Sequence, residues 1–411
     1  MISPTPDPFQ RPQALSLDQT SKDVGTGPDP RHPAPGLRVA LVHDWLTGMR
    51  GGEKVLESFC RVFPQAEIFT LFYQPGSVSE VIAARKITAS WLDRLPSARR
   101  HYRWFLPFFP QAIESLKLDG FDLVISISHA VAKGVRSGGA RHICYCETPM
   151  RYVWDVEEDY FRFGSGRRWK RALLGLARGR LRAWDLRSNA RVDHFLANSE
   201  NVRQCIARLY GRDATVIYPP VDTDFFNPGP RPPAPGPYFL VVSALEPYKR
   251  VDLAVEAFAR LKLPLLVAGR GTEERALRRL APANVEFLGW VTDERLRELY
   301  RGCRALVFPG VEDFGIVPVE AQACGRPVVA FGRGGALETV LDGRTGVFFP
   351  EQTAESLAEA VRCLDKLDFH PAEARRNSLR FSRQRFEDEV RAFFDSQVTA
   401  FGVPRELYEC W

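Results

Sequence analysis

The sequence predicts an α/β protein of two doubly wound, parallel-sheet domains, and three observations carry that expectation. A chain of 411 residues exceeds what one hydrophobic core supports, so two domains of about 150 to 200 residues each are expected. Short apolar runs of strand length alternate with helix-period stretches, and the alternation runs through the chain twice. Between the two runs lies Asn227 to Pro237 (NPGPRPPAPGP), whose proline density predicts a stiff, extended linker.

Residues 1–36 carry proline at 4, 6, 8, 12, 28, 30, 33 and 35 with few large apolar side chains, a composition that predicts a disordered tail. The first domain is expected over 37–226. Its opening strand is VALVHDWL from Val39, followed by the glycine-rich turn Thr47 to Gly52 and a helix from Glu53 to about Phe63. Further strands are expected at Ala66 to Phe72, Leu123 to Ser128, His142 to Cys146 and His194 to Ala197, with Val216 to Val221 as the last. Leu92 to Leu118 breaks the rhythm with aromatics, arginines and three prolines, and reads either as a core insert or as an exposed surface for an acceptor or membrane.

The second domain is expected over 238–381. Its strands are Tyr238 to Ser243, Pro264 to Ala268, Val285 to Leu288, Ala305 to Phe308 and Val328 to Phe331. Its helices are Val251 to Leu261, Thr272 to Leu280, Asp293 to Arg301 and Ala354 to Leu364. A last helix, about Ser382 to Phe401, falls in the closing segment 382–411. Two such domains would hold a ligand between them, at the carboxyl ends of their strands.

Composition narrows the classes. Apolar residues make up 45% of the chain, yet no uninterrupted apolar run approaches the about 18 residues that span a bilayer, and the N-terminus lacks a basic-then-apolar signal pattern. A cytoplasmic location is expected. The eight cysteines at 60, 144, 146, 205, 303, 324, 363 and 410 show no paired C-x-x-C and read as reduced core residues. Cys144 and Cys146 would share one face of a strand, where a strain-free disulfide is not expected. Net charge is 56 minus 50, or +6, but ten Lys/Arg and the single carboxylate Asp185 fall between Arg162 and Arg191. Trp169, Leu173, Leu176, Leu181 and Trp184 form an apolar stripe through that segment, although Gly175 and Gly179 weaken the helix. An anionic membrane surface, giving a peripheral association, and the solvated face of a core helix are both open readings. No zinc-finger, RRM or helix-turn-helix pattern supports a nucleic-acid partner.

The chain's chemistry gathers around Leu306 to Phe331. A strand stops at Pro309-Gly310, an acidic turn follows, and a helix is expected to start near Gly315 and end at Gly325. Glu312 lies in the loop and Glu320 on the helix, so one carboxylate faces a ligand across the helix start and the other reaches its far part. Free N–H groups at Phe314, Gly315, Ile316 and Val317 would stabilise an anion such as a diphosphate.

The E-x7-E arrangement EDFGIVPVEA resembles the signature of retaining, nucleotide-sugar-dependent glycosyltransferases of the GT-B fold, family four. The resemblance runs from about Arg38 to Phe394, and its phrasing is similar to bacterial mannosyltransferases of surface-polysaccharide assembly. It implies a GT-B-like fold, with an acceptor-side first domain, a nucleotide-sugar-binding second domain and a final helix that returns to the first. It implies transfer of a hexose with retention, with GDP-mannose as donor and a lipid-linked or growing polysaccharide as acceptor. By the same resemblance Lys249, in Leu245 to Arg250, contacts the donor phosphates, Glu312 contacts sugar hydroxyls, and Glu320 accepts both ribose hydroxyls. Neither a cofactor nor a metal is expected, since no trusted D-x-D-like pair stands ready for Mg2+. The Gly51-Gly52 turn would add N–H donors from the opposite domain.

Two positions depart from the family pattern. Ala244 stands where many relatives have an arginine, and Arg250, or Arg270 between Gly269 and Gly271, is a candidate replacement. Glu147, in Cys144 to Tyr152, stands where relatives often have histidine, adding negative charge near a diphosphate while able to orient a hydroxyl. His129, past a strand, is a further candidate for the cleft, with Arg151 as an acceptor-side phosphate ligand. Alternatives from other classes are a nucleotide-sugar-binding protein without turnover and a sugar-nucleotide epimerase.

Overall fold

The computed structural model describes residues 37–96, 98–99, 102–154, 168–230, 234 and 236–401. The tail expected to be disordered lies outside the described residues. The first sheet is built from β1 (Val39–His43), β2 (Glu67–Thr70), β3 (Ile87–Ala89), β4 (Leu123–Ser128), β5 (Arg141–Cys146), β6 (His194–Ala197) and β7 (Ala214–Val216), in the order β3-β2-β1-β4-β5-β6-β7. The second contains β8 (Phe239–Val242), β9 (Leu265–Ala268), β10 (Val285–Gly289), β11 (Leu306–Phe308), β12 (Val328–Phe331) and β13 (Gly346–Phe349), in the order β10-β9-β8-β11-β12-β13. Their ladders are parallel. The doubly wound fold class is therefore as expected. In each sheet the winding reverses beside its first strand, between β1 and β4 and between β8 and β11, where an open α/β sheet leaves a crevice.

Burial on both faces explains the unbroken apolar strands. Val39 and Leu41 of β1 pack with the helix Gly51–Val62, while Ala40 and Val42 face the layer holding Trp45, Phe109 and Trp184. The C-terminal helix Arg383–Phe401 covers the first of these layers. Its Phe386 meets Phe59 edge-on at 5.5 Å and its Phe394 meets Phe63 at 5.2 Å. Each buried phenylalanine contributes about 1.5–3 kcal/mol.

The chain passes between the two sheets twice, and the two passes are tied together. Val221 N–H donates to Phe381 O at 2.9 Å, and Arg383 N–H donates to Val221 O at 3.1 Å, a short parallel ribbon. Tyr218, Phe314 and Phe381 stack around it with ring centres 5.2–5.8 Å apart.

Several elements differ from the sequence reading. The strand expected over Val216 to Val221 ends at Val216, because Pro219 and Pro220 bring no N–H to a ladder, and Val221 joins the ribbon instead. β3 and β13 were not expected; one has three residues and the other begins on glycine. The helix Arg168–Ser188 continues through Gly175 and Gly179, with Leu181 and Trp184 buried. The side chains of Trp169, Leu173 and Leu176 lie outside the described residues. Asp185, the lone acid of that segment, is a core hub: it accepts from Trp154 Nε1 at 2.7 Å and Tyr210 OH at 2.9 Å and pairs with Lys133 at 3.0 Å. Much of the insert is core, with Leu92, Phe109, Ile113 and Leu116 buried, while Leu95 and Phe108 are exposed. The described cysteines are free thiols, and Cys144 and Cys146 share one apolar cluster. No helix of the described residues is long and apolar enough to cross a membrane.

Candidate active site

Both switch points carry charged side chains. On the first-domain wall, Asp44 follows β1, and the loop after β4 wraps around its fully buried carboxylate. It accepts the N–H groups of His129 (2.8 Å), Ala130 (2.8 Å), Val131 (2.6 Å) and Ala132 (2.8 Å). His129 Nδ1 stands 3.2 Å from Asp44 Oδ2 and 3.3 Å from Glu147 Oε2. Burial pulls the pKa of His129 down, but Asp44, Glu147 and Glu53 outweigh it and raise the group to about 9, so it is an imidazolium at neutral pH. Trp45 meets the ring edge-on at 4.5 Å.

Glu147 follows β5 and hangs over the start of the helix Gly51–Val62. A Cβ at Gly52 would lie 2.8 and 2.9 Å from the two Glu147 oxygens and 3.1 Å from His43 Nε2, so any larger residue there would push the Glu147 carboxylate aside. His43 Nδ1 donates to Trp45 O at 2.9 Å, and its buried Nε2 has no hydrogen-bond partner among the described residues. Glu53 accepts the Arg50 N–H at 3.0 Å; burial raises its pKa, partly offset by His43.

On the second-domain wall, Lys249 ends a short turn (Pro247–Lys249) after β8, and its Nζ lies 2.5 Å from Glu312, in the loop after β11. Gly315, at φ +91°, turns the chain into the helix Ile316–Ala323, a conformation that favours glycine. The ring of Phe314 points into the Tyr218–Phe381 stack, so this residue offers the cleft its backbone. Glu320 lies on the second turn, 4% exposed. It accepts Tyr300 OH at 2.9 Å and pairs at 3.4 Å with Lys54 of the first domain. Burial raises the pKa of Glu320 despite Lys54, whereas Glu320 raises that of Lys54 against its burial.

The two walls touch. A Cβ at Gly51 would come within 3.0 Å of Ile316 Cδ1. Arg151 forms an ion pair with Asp313, and Asn201 Nδ2 donates to Asp313 Oδ1 at 3.3 Å. Glu338 accepts the N–H groups of Glu200 (2.8 Å) and Asn201 (3.0 Å), capping the helix Glu200–Tyr210 from the other domain.

The fold thus brings Lys249 to Glu312, Gly51 to Ile316, and Gly52, Glu147 and His129 to one corner. Arg151 reaches the motif through Asp313. Arg250 is drawn instead to Asp252 and Gln352, with contacts of 3.2–3.3 Å, and Ala244 is exposed. Gly269, at φ +134°, packs under the loop that follows β8, where a Cβ would fall 1.8 Å from Ser243 O. Sequence reasoning passed over Lys54, Asp44, Tyr300, Asp313 and Glu338. Only Lys54 carried a signal, a lysine on the first turn after a Gly-Gly helix start.

Comparison with known proteins finds a glycosyltransferase family model along each wall. Residues 49–225 match the family model described as Glycosyltransferase Family 4, and residues 222–379 that described as Glycosyl transferases group 1. The D-inositol 3-phosphate glycosyltransferase of Mycobacteroides abscessus is 33% identical over 193 residues, covering 41% of this chain and 44% of that one. That of Geodermatophilus obscurus is 33% identical over 237 residues, covering 50% and 53%. The chain spans about half the length of the curated relatives it matches. Among solved structures, Anabaena HepE in complex with UDP superposes with a TM-score of 0.64 at 17% identity, over 88% of this chain and 100% of that one. Sucrose-phosphate synthase from Thermosynechococcus elongatus gives 0.63 at 20% identity, over 91% and 100%. Two glycosyltransferase family models thus match in succession through both walls of the cleft, and the chain shares the GT-B fold with these structures.

Proposed function

We propose that the protein transfers a hexose from a nucleotide sugar, with retention and without a metal, to a lipid-linked or growing polysaccharide acceptor. The observation that carries this reading is the facing of two walls: Lys249, Glu312 and Glu320 on one side, Gly51 and Gly52 at a helix start on the other. Negative charge grows on the departing diphosphate. Lys249, the N–H groups at the start of Ile316–Ala323 and those of Gly51-Gly52 are the donors that would meet it. Lys249 must then leave Glu312, which frees that carboxylate for sugar hydroxyls. Glu320, whose two oxygens suit a vicinal diol, takes the ribose. Front-face attack within an ion-pair-like transition state needs no dedicated nucleophile.

For the donor, the family resemblance of the motif favours GDP-mannose, whereas a solved neighbour carries UDP. The relatives' name favours a second reading of the acceptor, a phosphorylated inositol. The domain roles follow from the same proposal: 37–226 serves the acceptor, 238–381 the nucleotide sugar, and 227–237 joins them. A thermal-shift panel of GDP- and UDP-sugars tests the donor, because a ligand at 100 times its dissociation constant adds about 2.7 kcal/mol to stability. Turnover with lipid-linked saccharide or inositol phosphate then tests the acceptor. A protein that no nucleotide sugar stabilises, and that turns none over, refutes the proposal.

A further inference from the structure

The donor site as proposed contains an unfavourable charge. Glu147 sits over Gly52, beside the N–H groups that would receive a diphosphate, and two anions there repel. Three arrangements bear on how that charge is managed. Asp44 is fixed, because its two oxygens are held by four consecutive N–H groups, and it cannot turn away from His129. His129 turns one nitrogen, Nδ1, to both carboxylates, 3.2 Å from Asp44 and 3.3 Å from Glu147, at ion-pair distance without a hydrogen bond to either, with Trp45 against its ring. The other charged or titratable groups that face it are His43 from β1 and Glu53 from the helix Gly51–Val62. His43 gives its Nδ1 proton to the Trp45 carbonyl, and its Nε2 is the ring nitrogen turned toward Gly52. Among the described residues, His129 is the side chain that pairs with Glu147 at ion-pair distance.

We propose that His129 is a positioning residue for the transferred sugar: wedged between Asp44 and Glu147, its imidazole offsets the Glu147 charge and fixes that carboxylate over Gly52. Glu147 can then accept a sugar hydroxyl while the diphosphate lies beside it. Asp44 anchors the histidine, His129 orients the glutamate, and Glu147 touches the substrate. This rests on the donor site proposed above.

The test uses four full-length proteins: the parent, His129→Gln, Glu147→Gln and the double variant. One readout needs no ligand. In histidine-labelled protein the His129 ring resonance, assigned through its bonds to its own backbone, should titrate near pH 9 in the parent and lower in Glu147→Gln. The second readout is the affinity for GDP-mannose and UDP-glucose, and for GDP and UDP, by calorimetry. His129→Gln should weaken sugar-nucleotide binding about ten-fold, because it leaves Glu147 uncompensated. Glu147→Gln added to it should restore binding to the level of Glu147→Gln alone. An unchanged His129 titration in Glu147→Gln overturns the proposal even if His129→Gln does not fold. Additive losses in the double variant, in a parent that binds nucleotide sugar, overturn the role of His129 alone. A parent that binds neither nucleotide nor nucleotide sugar overturns the donor reading, and the sugar role of His129 falls with it.

Discussion

Replacing Lys54 with methionine separates the two sides of the ion pair that spans the cleft. At 3.4 Å and an effective dielectric constant of about 20, Lys54 and Glu320 attract by about 5 kcal/mol before desolvation is counted. The net loss is smaller, because Lys54 is 29% exposed and because Glu320, already raised above its ordinary 4.5, can take up a proton. Holding a carboxyl neutral at pH 7 costs at most about 1.36 kcal/mol for each of the 2.5 pH units above 4.5, or about 3.4 kcal/mol. The expected loss of stability in Lys54→Met is thus about 1–3 kcal/mol at pH 7, shrinking as pH falls toward 4.5. The signs follow from linkage. Lys54, with a raised pKa, contributes stability that is present below its ordinary 10.5 and is lost as pH rises through the folded value. Glu320, also raised, favours the fold below 4.5, and that contribution is lost as pH rises through its folded value. Glu320→Gln removes the costly buried charge along with the pair and can keep the Tyr300 bond, so it should fall within about 1 kcal/mol of the parent. Urea unfolding of the ligand-free proteins between pH 5 and 8 measures all three. A Glu320→Gln loss as large as that of Lys54→Met, or a Lys54→Met loss independent of pH, would refute the reasoning.

Three further outcomes are expected. Glu320→Ala should weaken binding of free nucleotide by about 1–3 kcal/mol, whereas Glu312→Ala, which frees Lys249, should lower turnover and leave nucleotide affinity intact; equal affinity losses would reverse the assigned roles. EDTA should leave turnover nearly unchanged if Lys249 and helix N-termini stabilise the diphosphate, and activity lost to chelation and restored by Mg2+ or Mn2+ would refute that mechanism. Asp44→Asn should cost about 2–4 kcal/mol, because its amide turns a donor toward N–H groups that a carboxylate accepted; an unchanged urea midpoint would count against the loop's dependence on that anion.

Local chemistry was legible where it depends on neighbours along the chain. The helix Val251–Leu261 and the strands Leu123–Ser128, His194–Ala197 and Val328–Phe331 fall on the residues that periodicity indicated. Lys249 and Glu312 could be singled out because each follows a readable strand. What stayed hidden depends on loops distant in sequence. Asp44 owes its role to N–H groups 85 to 88 residues away, and Glu338 to a helix start 137 and 138 residues away. Neither pairing leaves a mark on spacing or composition. Pro219 and Pro220 were visible, but the apolar residues beside them outweighed their missing N–H groups in the strand assignment.

The ribbon formed by Val221 and Phe381 to Arg383 limits how the cleft can open. One connecting strand would act as a swivel, free to twist and to bend. Two strands bonded side by side resist twisting and leave bending across the ribbon as the soft direction. Opening then becomes motion along one coordinate. The Lys54–Glu320, Arg151–Asp313 and Glu338–Asn201 contacts should part in concert, and a single pair of probes across the cleft would follow all three.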